Sequence, residues 1–296
     1  MFRHNSPQSE SRHKVFEQIT ILAPGLLGAS LAQAIQKHAL TERVTVWARR
    51  PEARLKLKEA PWCDTVFSSP EEACRGASLT IICTPVGRIP ELVGAIRDSL
   101  PEGAIVTDVG SVKSLICRES HHLIGDKGRF IGSHPMAGSE KSGMEHARAD
   151  LFARRPCFVT PMEESDPEAA ERVAAFWRAL EADVMTVNPE VHDEIVAHIS
   201  HLPHVLASTL CGFLGLKDAS WVKFGGAGLR DTTRVASGNT EMWREILQQN
   251  RTEILRAIRA YQDELHGFQT ALANEDYYLA RHFLDRGKAY RDKLET

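Results

Sequence analysis

The sequence has no long apolar run. Nowhere do about 18 apolar residues follow one another, the length a membrane-crossing helix needs, so no spanning segment is expected. It also has no excess of charge of one sign. Lys and Arg number 36 against 39 Asp and Glu, a formal net charge of −3, which supplies no basic field for nucleic acid or a membrane surface. The six cysteines, at 63, 74, 83, 117, 157 and 211, contain no C-x-x-C pair, which argues against a zinc knuckle or a redox motif. Scattered cysteines fit reduced thiols in a cytoplasmic protein. Residues 1–14 are polar and hold no apolar core, so they read as a mobile lead-in, neither signal peptide nor anchor.

What is present is the balance of an ordinary globular protein. Hydrophobic residues make up 43% and charged residues 25%, and 296 residues suffice for two domains with sizeable cores. In the first part, short apolar runs alternate with helical patterns. Strands are expected over 18–23, 44–48, 78–83, 104–109, 129–132 and 157–160, with a helix over 26–38 after the first. Such alternation predicts an α/β fold, a mostly parallel sheet covered by helices, whose ligand crevice lies at the carboxyl ends of the strands. A helix follows over 166–180, with Asp166 as N-cap and Pro167 in its first turn, then a short strand over 182–187.

After Asn188-Pro189 strand-like runs cease. Helix is expected over 190–214, with a kink or break at Pro203 because proline removes a backbone donor. Short helices and loops are expected over 217–239, and long helices over 241–268 and 271–294. The domain boundary is accordingly set near 188. A dinucleotide-binding domain is read over 15–188 and an all-helical substrate and dimerisation domain over 189–296.

The first strand runs into Ala23-Pro24-Gly25-Leu26-Leu27-Gly28. This is G-x-G-x-x-G with its first glycine replaced by Ala23. Gly25 would let the backbone approach a pyrophosphate, Gly28 would let the helix pack closely on the sheet, and the helix N-terminus beginning at Leu26 and Leu27 favours an anion. A methyl at position 23 is expected to alter the turn's φ/ψ choices. At the end of the second strand Ala48 stands 20 residues beyond Gly28, where an NAD site carries a carboxylate for the ribose hydroxyls. Arg49 and Arg50 follow instead, and a planar fork of donors suits a 2′-phosphate, so NADP is preferred over NAD. Thr84, Pro85 and Val86, after the third strand, should pass under the middle of the cofactor.

Two loops behind predicted strands carry candidate chemistry: 108–113 (DVGSVK) and 132–138 (GSHPMAG). His134, held close to glycine and proline, is a positioned group, and Ser111 could sit beside it. His192, His198, His201 and His204 crowd into thirteen residues. They lack the H-E-x-x-H spacing of a zinc protease and have no completing cysteine, so no metal is expected. Arg230 and Arg234, four apart, would share a helical face suited to a carboxylate.

Taken together, DVGSVK (108–113), GSHPMAG (132–138), HDEIVAHISHLPH (192–204), GLRDTTRVASG (228–238) and Met242-Trp243 resemble the prephenate and arogenate dehydrogenases of tyrosine biosynthesis. The resemblance covers roughly 18–285. It implies a modified Rossmann-type dinucleotide-binding domain followed by an all-helical dimerisation domain, NAD or NADP as cofactor, a small-molecule substrate and a homodimer. It implies His134 as the catalytic histidine and Ser111 as the residue that orients it and meets the nicotinamide. His204, with His201 nearby, would bind substrate, as would Lys113. Arg234 would pair with a substrate carboxylate, and Asp231 and Trp243 would shape the pocket. With no regulatory domain expected on either side, any feedback by tyrosine would act at the active site. A non-catalytic NADP-binding sensor would have no use for His134, Ser111, His204 and Arg234 together. A reductase of a small keto acid or imine would not need the S-H-L-P-H run. Whether prephenate or arogenate is the substrate is left open by residue type.

Overall fold

A computed structural model describes residues 16–137 and 143–294. The lead-in expected over 1–14, and Gly138 of the GSHPMAG motif, lie outside the described residues. The elements run β1 (Phe16–Leu22), α1 (Leu26–His38), β2 (Thr41–Trp47), α2 (Pro51–Lys58), β3 (Thr65–Phe67), α3 (Pro70–Cys74), β4 (Leu79–Ile82), α4 (Ile89–Ile96), β5 (Ala104–Asp108), α5 (Ser114–Ile124), β6 (Gly128–Phe130), β7 (Gly132–Pro135), β8 (Pro156–Thr160), α6 (Pro167–Ala179) and β9 (Asp183–Thr186). The helical part continues with α7 (Pro189–Val196), α8 (Leu202–Gly215), α9 (Ala227–Thr233), α10 (Thr240–Gln249), α11 (Arg251–Ala273) and α12 (Tyr277–Lys293).

β1 to β6 form one parallel sheet in the order β3-β2-β1-β4-β5-β6. Its central strands are buried on both faces, with Ile19, Ile21, Ile81 and Val106 fully covered, as a sheet flanked by helices requires. Strand order reverses between β1 and β4, the switch point where such sheets bind ligands. The strand expected over 129–132 is split: Arg129 and Phe130 fall in β6, inside that sheet, whereas Gly132 opens β7, and the strand expected over 157–160 is β8, outside it. The chain turns at Ile131, and β7, β8 and β9 form a separate sheet in which β7 and β8 are antiparallel. The small sheet hangs from the end of β5: Ser133 Oγ donates to the Asp108 carbonyl at 2.6 Å, and the Ser133 N–H donates to Asp108 Oδ1 at 3.1 Å. The short strand β3 went unread because Thr-Val-Phe is too brief to show a period.

The chain divides into two compact units: residues 1–193 with Ser237–Gln249, and Glu194–Ala236 with 250–296. This division explains a break that the apolar pattern concealed. The helix expected over 241–268 is two helices separated at Asn250, whose φ of −107° and ψ of 28° are not helical. Ile246 packs in the first unit with Val86, Ile89 and Leu92. Ile254 and Ala257 pack in the second with Ala197 and Leu202. One apparent stripe therefore serves two cores. The last helix starts later than expected, at Tyr277, because α11 continues to Ala273 and Asp276 caps α12 by accepting from Leu279 N at 2.9 Å. At Pro203 the ladder adjusts without stopping. Residues Ala197–His201 form one π-turn, and Pro203 falls in the first turn of α8, where its missing N–H costs nothing.

Ala23 takes φ +63°, in the left-handed region a glycine would favour. The methyl does not redirect the turn, because Ala23 N donates to the Trp47 carbonyl and the Gly25 N–H donates to the Ala23 carbonyl, both at 2.9 Å. An L-residue there costs about 1–2 kcal/mol. Glycine would relieve this and lose roughly 0.4–1 kcal/mol through its freer unfolded chain. Ala23→Gly is thus expected to stabilise the protein by about 0.5–1 kcal/mol, read as a higher urea midpoint at unchanged slope. A lower midpoint would show the turn to be unstrained.

Candidate active site

At the switch point, the turn after β1 and the loop after β4 flank one crevice edge. Gly25 is exposed at the N-terminus of α1, and a Cβ there would meet nothing within 4 Å. Gly28 faces the sheet, where a Cβ would lie 3.1 Å from Ile21 and 3.3 Å from Cys83. The first turn of α1, with Leu26 and Leu27 half-buried, carries no acidic residue and no side-chain cap, so its N–H groups and dipole suit an anion. After β4, Thr84 Oγ1 is buried with no hydrogen-bond partner among the described residues, Pro85 is exposed and Val86 is buried. These residues fit a dinucleotide: a close-approach glycine, a helix N-terminus and an unsatisfied hydroxyl in one crevice. Beside β2, Arg49 and Arg50 are exposed, and Arg54 donates to the carbonyls of Ala48 (2.9 Å) and Arg49 (2.8 Å), which braces their loop.

α10 also belongs to this unit. Glu245 accepts from Gly87 N at 3.2 Å, next to the Thr84–Val86 loop, and half-buried Trp243 packs against the same core as Ile246. Sequence reading did not anticipate Glu245. A single glutamate on an amphipathic helix gives no signal of its own.

At the end of β5 the small sheet presents His134, 8% exposed on β7. Its Nδ1 lies 2.9 Å from Nε2 of His192, and His192 Nδ1 lies 2.8 Å from Asp193 Oδ1. Phe158 on β8 packs edge-on against the His192 ring at 5.0 Å between centroids. Asp193 in turn accepts from the first backbone N–H groups of α5, Lys113 N at 2.8 Å and Ser114 N at 2.9 Å. Burial holds the His192 imidazole below its usual range, although the hydrogen bond to Asp193 works the other way. Burial pushes the Asp193 carboxyl up, but the hydrogen bonds from His192 and Ser114 outweigh it, and the net shift is downward.

Two expected roles meet a different geometry. Lys113, read as a substrate contact, is fully buried, and its ammonium is paired with Asp108, so it presents no donor at a surface. Asp108 Oδ2 also accepts from Gly110 N at 2.8 Å. The reason is local. Lys113 begins the turn into α5, and its chain folds back towards the carboxylate at the end of the strand. Ser111 is half-buried on that loop, and among the described residues no hydrogen bond joins it to His134. His134 hydrogen-bonds His192 instead, which the sequence offered only as one histidine in a run. The signal that could have found it is the carboxylate next to it, Asp193.

In the second unit, His201 is 1% exposed on the π-turn with Nδ1 3.2 Å from Asn250 Nδ2, so it is built into helix packing. His204 is 9% exposed on α8 with Nδ1 3.4 Å from Ser208 Oγ, and burial lowers its pKa. Asp231 lies exposed on α9, and Arg234, also exposed, opens the turn after it.

Comparison with known proteins matches both parts of the chain. Residues 31–186 match the family model described as prephenate dehydrogenase, nucleotide-binding domain, and residues 188–285 match prephenate dehydrogenase, dimerization domain. The cyclohexadienyl dehydrogenase of Zymomonas mobilis is 29% identical over 285 residues, covering 93% of this chain and 95% of that protein. Prephenate dehydrogenase from A. aeolicus in complex with hydroxyphenyl propionate and NAD+ is similar in structure, with a TM-score of 0.88 and 26% identity over 97% of this chain and all of that one. The arogenate dehydrogenase of Synechocystis has a TM-score of 0.83 and 28% identity, covering 94% of this chain and 99% of that one.

Proposed function

The chain belongs to the prephenate dehydrogenase family, and from that premise we propose that it oxidatively decarboxylates prephenate to 4-hydroxyphenylpyruvate, or arogenate to tyrosine. The observation that carries this reading is His134, held by His192 and Asp193 at the carboxyl end of the parallel sheet, in the same unit as the dinucleotide turn. A sensor needs no such group, and a keto-acid or imine reductase has no decarboxylation to promote.

The bound nicotinamide supplies a hydride acceptor. His134 takes the proton of the ring hydroxyl at C4 as that carbon loses hydride and becomes a carbonyl carbon. The bond from C1 to its carboxylate then breaks, carbon dioxide leaves, and the electron pair passes through the ring to the C4 oxygen, which takes its proton back from His134 as the ring becomes aromatic. Aromatisation supplies the driving force, so the protein's task is to orient and to accept one proton. A base so placed contributes about 10²- to 10⁴-fold. Arg234 holds a substrate carboxylate through charge-assisted hydrogen bonds, each worth roughly 1.5–3 kcal/mol. His204, Asp231 and Trp243 line the substrate, and Ser111 meets the nicotinamide. The dinucleotide domain is assigned to 15–188 and the helical substrate and dimerisation domain to 189–296.

NADP is the preferred cofactor, because Arg49 and Arg50 stand where an NAD site carries a carboxylate and Arg54 fixes their loop. The protein pairs as a homodimer through its helical part, where Leu216 and Val222 are each 85% exposed and Phe224 is 79% exposed, apolar surface that a monomer would leave in water. No helix among the described residues is long and apolar enough to cross a membrane. All six thiols are unpaired, in keeping with a cytoplasmic enzyme.

Initial rates with prephenate or arogenate, each with NAD or NADP, test the proposal. We expect turnover with one of the two substrates and a higher kcat/KM with NADP than with NAD. Silence in all four assays would overturn the function. A preference for NAD would overturn the role of the arginines alone.

A further inference from the structure

We infer that His192 and Asp193 are positioning residues that fix the tautomer of His134, keeping its proton on Nδ1 and its lone pair on Nε2. The inference rests on the reading of His134 as acceptor of the substrate hydroxyl proton.

The chain of hydrogen bonds begins at the N-terminus of α5. An ionised carboxylate can only accept hydrogen bonds. Asp193 lies below the ordinary carboxylate range and accepts from Lys113 N and Ser114 N, so it is ionised at neutral pH. The nitrogen that faces it at 2.8 Å, His192 Nδ1, must therefore carry a proton. Burial holds His192 neutral, and a neutral imidazole has one N–H, so His192 Nε2 is bare. A bare Nε2 at 2.9 Å from His134 Nδ1 requires the proton on His134 Nδ1. Neutral His134 then has its lone pair on Nε2. The chain of bonds runs from a helix N-terminus through a carboxylate and one histidine to the next, and each link dictates the following one.

Among the described residues, the charged groups that act on His192 are Asp193 on its own helix, and Lys113 and Asp108 from the β5–α5 loop. From β8, Cys157 contributes no charge, because burial pushes its thiol well above the ordinary range. Lys113 and Asp108 neutralise each other. Of these groups Asp193 is the one hydrogen-bonded to His192, and its carboxylate favours any proton the pair takes up.

Asparagine at 193 cannot satisfy all its neighbours. Oδ1 accepts from both Lys113 N and His192 Nδ1, and Oδ2 accepts from Ser114 N. An amide places its NH2 either against Ser114 N or, in the other orientation, against both Lys113 N and His192 Nδ1. Turned towards His192, it makes Nδ1 an acceptor, moves the His192 proton to Nε2, and forces His134 into the tautomer that cannot take the substrate proton. Asp193→Asn is expected to lower kcat about 100-fold with KM and dinucleotide Kd little changed. The acid limb of the kcat/KM profile should move to lower pH, because a proton on the histidine pair loses its carboxylate partner. A residue that only capped α5 would leave that limb in place, and an unmoved limb would overturn the inference.

A second measurement needs no substitution. Long-range ¹H–¹⁵N spectra of ¹⁵N-histidine-labelled wild-type enzyme with bound NADP should show His134 protonated at Nδ1 and bare at Nε2 above the acid limb. The opposite tautomer would overturn the inference even if Asp193→Asn failed to fold. Wild-type enzyme silent towards both substrates would instead sink the functional reading, whatever the ring nitrogens show.

Discussion

Replacing His134 with asparagine is expected to cut kcat about 10²- to 10⁴-fold while dinucleotide affinity stays as in the wild type. The side chain is 8% exposed at the end of β7, and the residues that fit the dinucleotide lie on other elements, at Gly25 to Gly28 and Thr84 to Val86. Asparagine keeps a polar group near His192 and comes close to imidazole in size, so packing against Phe158 and His192 should survive. It cannot accept a proton at neutral pH. The loss should therefore fall on kcat and kcat/KM together, the signature of an interaction made in the transition state, with KM moving little. Stopped-flow turnover and a fluorescence titration with NADP separate the two effects. Turnover near that of the wild type would remove His134 from the reaction. A matching loss of NADP binding would mean that the small sheet had come away from β5.

The alternation of apolar runs and helical periods made the parallel sheet and the dinucleotide turn legible, because both are local: a buried strand shows as a run of Ile, Val and Leu, and the turn as glycines at fixed spacing. Helix α1 was read with its observed bounds, Leu26–His38, and the N-cap of α6 was visible in Asp166-Pro167. What sequence could not supply was partnership across long separations. His134 and His192 are 58 positions apart, and Lys113 and Asp193 are 80 apart. A histidine looks the same in sequence whether it is orienting another ring, as His192 does, or packed against an asparagine, as His201 is. Nor could periodicity reveal that the stripe through Ile246 and Ile254 is shared between two cores, since both halves keep the helical spacing. Ala23 is the converse case. Its residue type argued against the left-handed turn, and two backbone hydrogen bonds impose that turn anyway.

Lys113 separates what a motif suggests from what its environment permits, and Lys113→Met should expose the difference in stability. The ammonium is fully buried and paired with Asp108, whose other contacts are the backbone N–H groups of Gly110 and Ser133. Methionine matches the stem in length and fills the space beside Gly132, so no cavity is created. The carboxylate, however, is left buried with two amide donors and no counter-charge. Breaking a buried pair in this way costs about 3–5 kcal/mol, well above the worth of the intact pair against an apolar replacement. The urea midpoint, measured at fixed protein concentration because a dimer's stability depends on it, should fall accordingly. Adding Asp108→Asn removes the stranded charge. One amide oxygen can still accept from Ser133 N or Gly110 N, though not from both, so the double variant should recover part of the loss but not all of it. The two changes must then be non-additive, as expected for groups in direct contact. A Lys113 that met substrate would behave in the opposite way: unchanged stability, a raised KM, and no coupling to Asp108. Because Asp108 also holds Ser133, the residue before His134, kcat in the single variant should drop with the midpoint and recover with it in the double variant. That shared recovery would tie the buried pair to the placement of His134.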